Sequence, residues 1–146
     1  HEDPRRQRQM CIRDRSTSKQ IRVLCTGGEP LLQLDSDLIS AFKEEGFYIA
    51  IETNGTLPAP KGIDWICMIP KANTNIKLKS GNEIKVIHPQ ENYDPNDFMS
   101  FDFDDFYIQP MDSKSYSKNL KASLDFCMQN PRWSLSLQTH KILGIK

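Results

Sequence analysis

The chain has 146 residues, of which 38% are hydrophobic and 26% are charged, and its 19 Lys and Arg residues balance its 19 Asp and Glu residues. This length suits one domain with its own core, and the zero net charge argues against a nucleic-acid-binding role. Its apolar runs are far shorter than the roughly 20 residues that a membrane helix needs, and none follows the N-terminal arginines as in a secretory signal. The composition therefore favours a cytoplasmic globular protein that binds neither nucleic acid nor a membrane.

The cysteines and histidines show no metal-binding pattern. Cys11, Cys25, Cys67 and Cys127 are scattered along the chain, and the three histidines are equally dispersed. Disulfide frameworks and zinc sites need closer spacings. These residues therefore predict neither.

Residues 1–18 form a charged segment without the apolar periodicity that begins at Ile21, and we expect this segment to be disordered. A basic tail of the natural protein is one interpretation. However, residues 10–15, MCIRDR, resemble the translation of a sequencing-library adapter. We favour this second interpretation, which would make the segment non-native, start the natural sequence near Ser16 and leave its N-terminal part missing.

From Ile21 onward, short β-rich runs alternate with helical stretches, and Gly, Pro, Asn or Asp marks each boundary. The predicted strands cover residues 21–26, 47–53, 64–69, 83–87, 106–108 and 134–138. Helices are predicted over residues 34–43, with Gly46 at the C-cap, briefly within 95–100, and over 116–129, where Asn130-Pro131 ends the helix. This alternation predicts an α/β fold with a mostly parallel sheet.

Four loops directly follow predicted strands and would lie on one rim of such a sheet, where α/β proteins bind ligands. They are residues 26–30 (TGGEP), 52–56 (ETNGT), 69–72 (IPKA) and 109–112 (QPMD). Two consecutive glycines, Gly27 and Gly28, allow close approach of the backbone to a ligand, and Glu29 adds a carboxylate that can accept from an ammonium group. A tight strand-to-helix turn with Glu29 near a helix N-terminus would explain the same residues.

Three other polar residues have two interpretations each. Glu52 ends an apolar strand, so its carboxylate is either paired in a site or solvated and bonded to the Asn54-Gly55 turn. Lys71 could hold an anionic ligand or belong to a solvated basic face with the later lysines. His140 could donate to a substrate or be a hydrogen-bonded structural histidine.

In this order, the motifs TGGEPLLQ, IETNGT, PKANT, YIQPMD and LSLQTHKILGI resemble the radical S-adenosylmethionine superfamily and, within it, the 7-carboxy-7-deazaguanine synthase family. The resemblance runs from about Ile21 to Lys146. It implies that residues 19–146 are the C-terminal portion of an incomplete, TIM-like radical S-adenosylmethionine barrel. It also implies a lyase that uses S-adenosylmethionine, a 4Fe-4S cluster and Mg²⁺ to contract 6-carboxytetrahydropterin with loss of ammonia, and a homodimer as the full-length assembly.

The same resemblance implies the role of each rim residue. The residues expected to bind S-adenosylmethionine are Gly27, Gly28, Glu29, Ile69, Pro70, Lys71, Gln109, Pro110, Met111 and Asp112. Those expected near the pterin are Thr26, His140 and Lys146. Ile69 departs from the family, which has Ser there, and this removes one hydroxyl from the cofactor pocket.

The family's cluster-binding cysteines precede the Gly-Gly-Glu-Pro loop and have no counterpart here, and Cys11 does not replace them. The family's Mg²⁺ ligand falls in the same missing segment. Because a cluster needs several thiolates, we expect this chain to be catalytically inactive, with no catalytic residue of its own. Two alternatives are another radical enzyme, such as an activating enzyme for glycyl radical proteins, and a non-catalytic α/β module that binds a nucleotide.

Overall fold

The computed structural model describes residues 12–14, for their backbone alone, and residues 20–145. Within them, one seven-stranded sheet runs in the chain order of its strands. The strands are β1 (Ile12–Asp14), β2 (Arg22–Cys25), β3 (Tyr48–Thr53), β4 (Trp65–Met68), β5 (Ser80–His88), β6 (Asp102–Pro110) and β7 (Ser134–Leu135). β2 to β7 are parallel, and β1 pairs antiparallel with the outer edge of β2.

Three α-helices and two short 3₁₀ turns accompany the described strands, and the last of these helices follows β7. They are α1 (Ser36–Glu44), α2 (Tyr116–Gln129) and α3 (Thr139–Ile142), with 3₁₀ turns at Pro30–Leu32 and Pro95–Phe98. The Asp35 carboxylate caps α1 by accepting from Leu38 N–H at 2.9 Å. Gly46 follows α1 with a positive φ of 76°, which a glycine adopts without strain and which ends the helix.

The core lies where the helices cover one face of the sheet. α1 packs on Val23, Ile49 and Ile51 of the first parallel strands. On the other half, the side chains of α2 pack with Ile108 and Trp133. Burial of this face holds the strands in register, because a slip by one residue would turn every apolar side chain to the opposite face.

The predicted α/β fold with mostly parallel strands, as in part of a TIM-like barrel, is confirmed. No pairing among the described strands joins β7 to β1, so the sheet stays open. The predicted helix over residues 116–129 has the bounds of α2, and the short helix within 95–100 is a 3₁₀ turn. No α-helix of the described part is long and apolar enough to cross a membrane.

Three features differ from the sequence-based expectation. The last strand ends at Leu135 and not at 138, because the chain turns where Thr139 N–H bonds the Leu137 carbonyl and then forms α3. β5 and β6 begin several residues earlier than expected, since polar residues at exposed positions do not interrupt strand pairing. Residues 1–18 were expected to be disordered, whereas Ile12–Asp14 form β1. The other residues of this segment lie outside the described part of the chain.

Candidate functional site

The carboxyl ends of the parallel strands form a rim with two neighbouring cavities. The larger has a volume of about 530 Å³. It is lined by residues at the ends of β5 and β6, of the loops after β4, β5 and β6, and of the C-terminal segment: Ile69, Pro70, Lys71, Ala72, Ile87, Gln90, Gln109, Met111, Asp112, Gln138 and Lys141. The smaller, of about 190 Å³, is lined by Thr26, Gly27, Gly28, Glu52, Thr53, Asn54, Ile69 and Lys71. Ile69 and Lys71 line both cavities. All four loops predicted to lie on one rim therefore meet there.

The Gly27-Gly28 pair forms an open wall of the smaller cavity. Gly27 has a φ of 124°, in the region that side chains rarely adopt, and both glycines are exposed. Within the described part of the chain, no hydrogen bond uses the N–H of either residue. Two amides without side chains in front of them can donate to an anionic or carbonyl group of a ligand.

Glu29 joins the first rim loop to the second. Its Oε1 accepts from Leu31 N–H at 3.1 Å and from Thr53 Oγ1 at 2.6 Å, and its Oε2 accepts from Asn54 N–H at 2.8 Å. The carboxylate thus caps the Pro30–Leu32 turn and lies behind the cavity wall. The capping agrees with the interpretation of Glu29 as a residue near a helix N-terminus, and its contact with a cofactor stays a prediction.

Glu52 lies on the smaller cavity, where its Oε2 accepts from Thr26 Oγ1 at 3.0 Å. The N–H groups of the following turn are held instead by Thr53 Oγ1 and Asn54 Oδ1. The pair of Glu52 and Thr26 therefore presents a carboxylate and a hydroxyl to the cavity. The sequence singled out Glu52 as a strand-end carboxylate but did not include it in the expected binding residues.

A row of ionisable side chains runs across the sheet behind Glu52. Strand pairing aligns Glu52 with Cys67 and Cys67 with Glu83, and the ammonium of Lys85 lies 3.4 Å from Glu83. Burial opposes the charge of Lys85, but the neighbouring carboxylates of Glu83 and Glu52 raise its pKa. Lys85 therefore keeps a positive charge beside the two carboxylates.

The described cysteines do not fit an iron–sulfur cluster. Cys25 and Cys67 lie on separate strands and are both 3% exposed, while Cys127 lies on α2. Burial and a hydrogen bond with Glu83 raise the pKa of the Cys67 thiol, and burial raises the pKa of Cys127, whereas iron is bound by thiolates. Nor does any group of three or more His, Cys, Asp or Glu within the described residues suit a metal ion. Cys11 lies outside the described residues.

These pKa values predict slow thiol chemistry at Cys67. We expect iodoacetamide at pH 8 to alkylate Cys67 at least about tenfold more slowly in the native chain than in urea, because the buried thiol stays protonated. Mass spectrometry of the digested protein would follow each cysteine separately. Equal rates for Cys67 in the native and denatured chain would contradict the burial and the pKa shift described above.

The C-terminal segment closes one side of the larger cavity. Lys141 of α3 forms an ion pair with Asp112, and Gln138 also lines the cavity. His140 is exposed and lines neither cavity, since α3 presents positions 138 and 141 to the cavity and position 140 away from it. Lys146, the third residue expected near the substrate, lies outside the described residues.

The rim brings together most of the residues expected to bind the cofactor. Gly27, Gly28, Ile69, Pro70, Lys71, Gln109, Met111 and Asp112 line the cavities, whereas Glu29 and Pro110 do not. Outside the four predicted loops, sequence reasoning missed Ile87, Gln90, Gln138 and Lys141. The QTHK motif was the available signal for the last two, and only the helical turn of α3 shows that Lys141, rather than His140, faces the cavity.

The geometry defines an open, mostly parallel α/β sheet of the barrel type with two neighbouring cavities at the carboxyl ends of its strands. No protein-family model matches the chain. Curated relatives named 7-carboxy-7-deazaguanine synthase are 50% identical in Caulobacter vibrioides and 51% identical in Burkholderia multivorans, each over 84% of this chain and 59% of the relative. A relative with the same name in Bacteroides thetaiotaomicron is 37% identical over 86% of the chain and 66% of its own length.

The chain belongs to the 7-carboxy-7-deazaguanine synthase family. It spans about 59% of the length of the first two of these relatives. The resemblance inferred from the rim motifs is therefore confirmed at the level of the family.

Proposed function

We propose that the protein represented by this chain is a radical S-adenosylmethionine lyase of the cytoplasm. It contracts 6-carboxy-5,6,7,8-tetrahydropterin to 7-carboxy-7-deazaguanine with loss of ammonia, a step of queuosine and 7-deazapurine biosynthesis, and the full-length enzyme is a homodimer. The observation that carries the proposal is the pair of joined cavities, built from the four motif loops, in a chain that is 50% identical to a named synthase over 84% of its length. When bound, S-adenosylmethionine would supply the radical that removes a hydrogen atom from the pterin.

The two cavities suit the two ends of S-adenosylmethionine. The N–H groups of Gly27 and Gly28 can donate to its carboxylate in the smaller cavity. The larger cavity can take the nucleoside, with Met111 against the base, since a thioether packs well on an aromatic ring. Ile69 and Lys71 lie at the junction and would contact the middle of the ligand.

Thr26 and Glu52 would face the pterin. The carboxylate of Glu52 is fixed by the Thr26 hydroxyl and keeps free lone pairs toward the smaller cavity. Pterin rings carry N–H donors, which a fixed carboxylate accepts well. This part of the chain would bind and orient ligands, and the described residues hold no group of three or more His, Cys, Asp or Glu side chains that could bind a metal ion.

Ile69→Ser should strengthen binding of S-adenosylmethionine about two- to tenfold, because a hydroxyl at the junction of the cavities adds one hydrogen bond. Ile69→Ala is the matched control, since it removes the same apolar group without adding a donor. Titration calorimetry on both variants and on the parent chain would measure the change. Equal affinities for the Ser and Ala variants would contradict a polar contact at position 69.

The reaction is tested with two proteins. After anaerobic treatment with iron, sulfide and a reductant, the 146-residue chain should form no stable cluster and no 7-carboxy-7-deazaguanine. The protein encoded by the full gene should form 7-carboxy-7-deazaguanine from the pterin. Turnover by the 146-residue chain would contradict the proposed inactivity.

The two alternative functions predict different experimental results. A glycyl radical activating enzyme would generate a radical on a protein partner and no pterin product. A nucleotide-binding module would bind ATP and show no turnover in either protein. Either result would replace the proposed function.

A further inference from the structure

The loop after β6 is held by a residue outside the rim motifs. Asn119, in the second turn of α2, is only 8% exposed, and its side-chain amide donates to the Met111 carbonyl at 2.8 Å and to Ser113 Oγ at 3.0 Å. A buried asparagine on the inner face of a helix is costly unless its polar atoms are bonded. Here both side-chain hydrogen bonds go to the loop that lines the larger cavity.

Hydrogen bonds hold the main chain of Met111 on both sides of its Cα. Its N–H donates to the His88 carbonyl at 2.8 Å, and its C=O accepts from Asn119. Ser123, also on α2 and fully buried, donates to the same His88 carbonyl at 3.2 Å. One helix therefore fixes the carboxyl ends of β5 and β6 relative to each other.

These hydrogen bonds fix the main chain of Met111 at the wall of the larger cavity. The N–H and the C=O of Met111 belong to the two peptide groups on either side of its Cα, so the two hydrogen bonds hold both peptide groups, and Met111 lines the cavity beside Gln109 and Asp112. We propose that Asn119 is a positioning residue for the nucleoside end of the ligand, acting through its hydrogen bond to the main-chain carbonyl of Met111. The proposal deepens the proposed function and rests on it for the identity of the ligand.

Asn119→Asp tests the hydrogen bond to the Met111 carbonyl without changing the size of the side chain. The carboxylate cannot donate to the Met111 carbonyl, yet it lies near the N-terminus of α2, where a negative charge favours the helix. Asn119→Ala separates the lost donor from the added charge. Asn130→Asp is the matched control, because Asn130 donates to the Phe126 carbonyl at the opposite end of the same helix, away from the rim.

The first measurement is amide hydrogen exchange over residues 109–113 in the ligand-free chain. We expect both Asn119 variants to exchange at least about tenfold faster there, since one lost hydrogen bond changes the opening equilibrium by roughly that factor, and Asn130→Asp to match the parent chain. Unchanged exchange in the Asn119 variants, or the same acceleration in Asn130→Asp, would overturn the proposal whatever the ligand.

The second measurement is an NMR titration with S-adenosylmethionine and with methionine alone. The Asn119 variants should lose about tenfold in affinity for S-adenosylmethionine and none for methionine, which lacks the nucleoside. Equal losses for both ligands would overturn a role at the nucleoside end. If the Asn119 variants exchange faster but the parent chain binds no S-adenosylmethionine, the result would support the role of Asn119 in holding Met111 and would contradict the proposed function.

Discussion

Glu29→Ala should lower the free energy of unfolding by about 2–4 kcal/mol, because it leaves the donors on Leu31, Thr53 and Asn54 without their acceptor in a half-buried position. The carboxylate is the link between two rim loops that are more than twenty residues apart in sequence. Its loss should therefore also loosen the smaller cavity. Urea denaturation followed by circular dichroism would measure the change.

Asp94→Ala is the matched control for this substitution. Asp94 also caps a 3₁₀ turn that begins with proline, but it is exposed, and among the described residues it accepts only from Asn96 N–H, at 2.9 Å. We expect a loss of about 0.5–1 kcal/mol there. A loss at Glu29 no larger than that at Asp94 would show that the three hydrogen bonds do not act as a brace between the loops.

Gly28→Val should abolish binding of S-adenosylmethionine while changing the free energy of unfolding by less than about 0.5 kcal/mol. Gly28 is exposed and lines the smaller cavity, so a branched side chain there would cover the amides that face the ligand without disturbing the core. Gly28→Ala, with a single methyl group, should weaken binding only in part. Unchanged affinity in Gly28→Val would show that the ligand lies elsewhere.

The elements that position the rim could be predicted because their signals are local. Asn130-Pro131 ends α2, and Gly46 follows α1, so the C-terminal ends of both helices follow from neighbouring residues to within one residue, whereas α1 begins at Ser36, two residues later than expected. Strand ends marked by Gly or Pro then place four loops on one side of a parallel sheet. That single step predicts most of the cavity wall.

The bonds that fix the loops could not be predicted, because they join residues far apart in sequence. The acceptors for Thr53 and Asn54 come from Glu29, and Asn119 reaches back to Met111. Which side chains meet depends on strand register and on the rotation of each helix, which residue patterns determine only to within a residue or two. For the same reason, the sequence pointed to His140 where the structure places Lys141 on the cavity.

Affinity should be weak in this chain even if the rim is correctly assigned. The family resemblance implies that a cluster anchors the amino and carboxylate groups of S-adenosylmethionine, and the described residues contain no ligand set for one. What remains are hydrogen bonds of about 0.5–1.5 kcal/mol each and the apolar walls of the cavities. Binding should therefore lie in the millimolar range.

Calorimetric titration of the 146-residue chain with S-adenosylmethionine and, separately, with ATP tests the assignment of the rim most directly. We predict millimolar binding of S-adenosylmethionine that is lost in Gly28→Val, and no binding of ATP. Micromolar binding of ATP, or micromolar binding of S-adenosylmethionine that Gly28→Val leaves unchanged, would contradict the account.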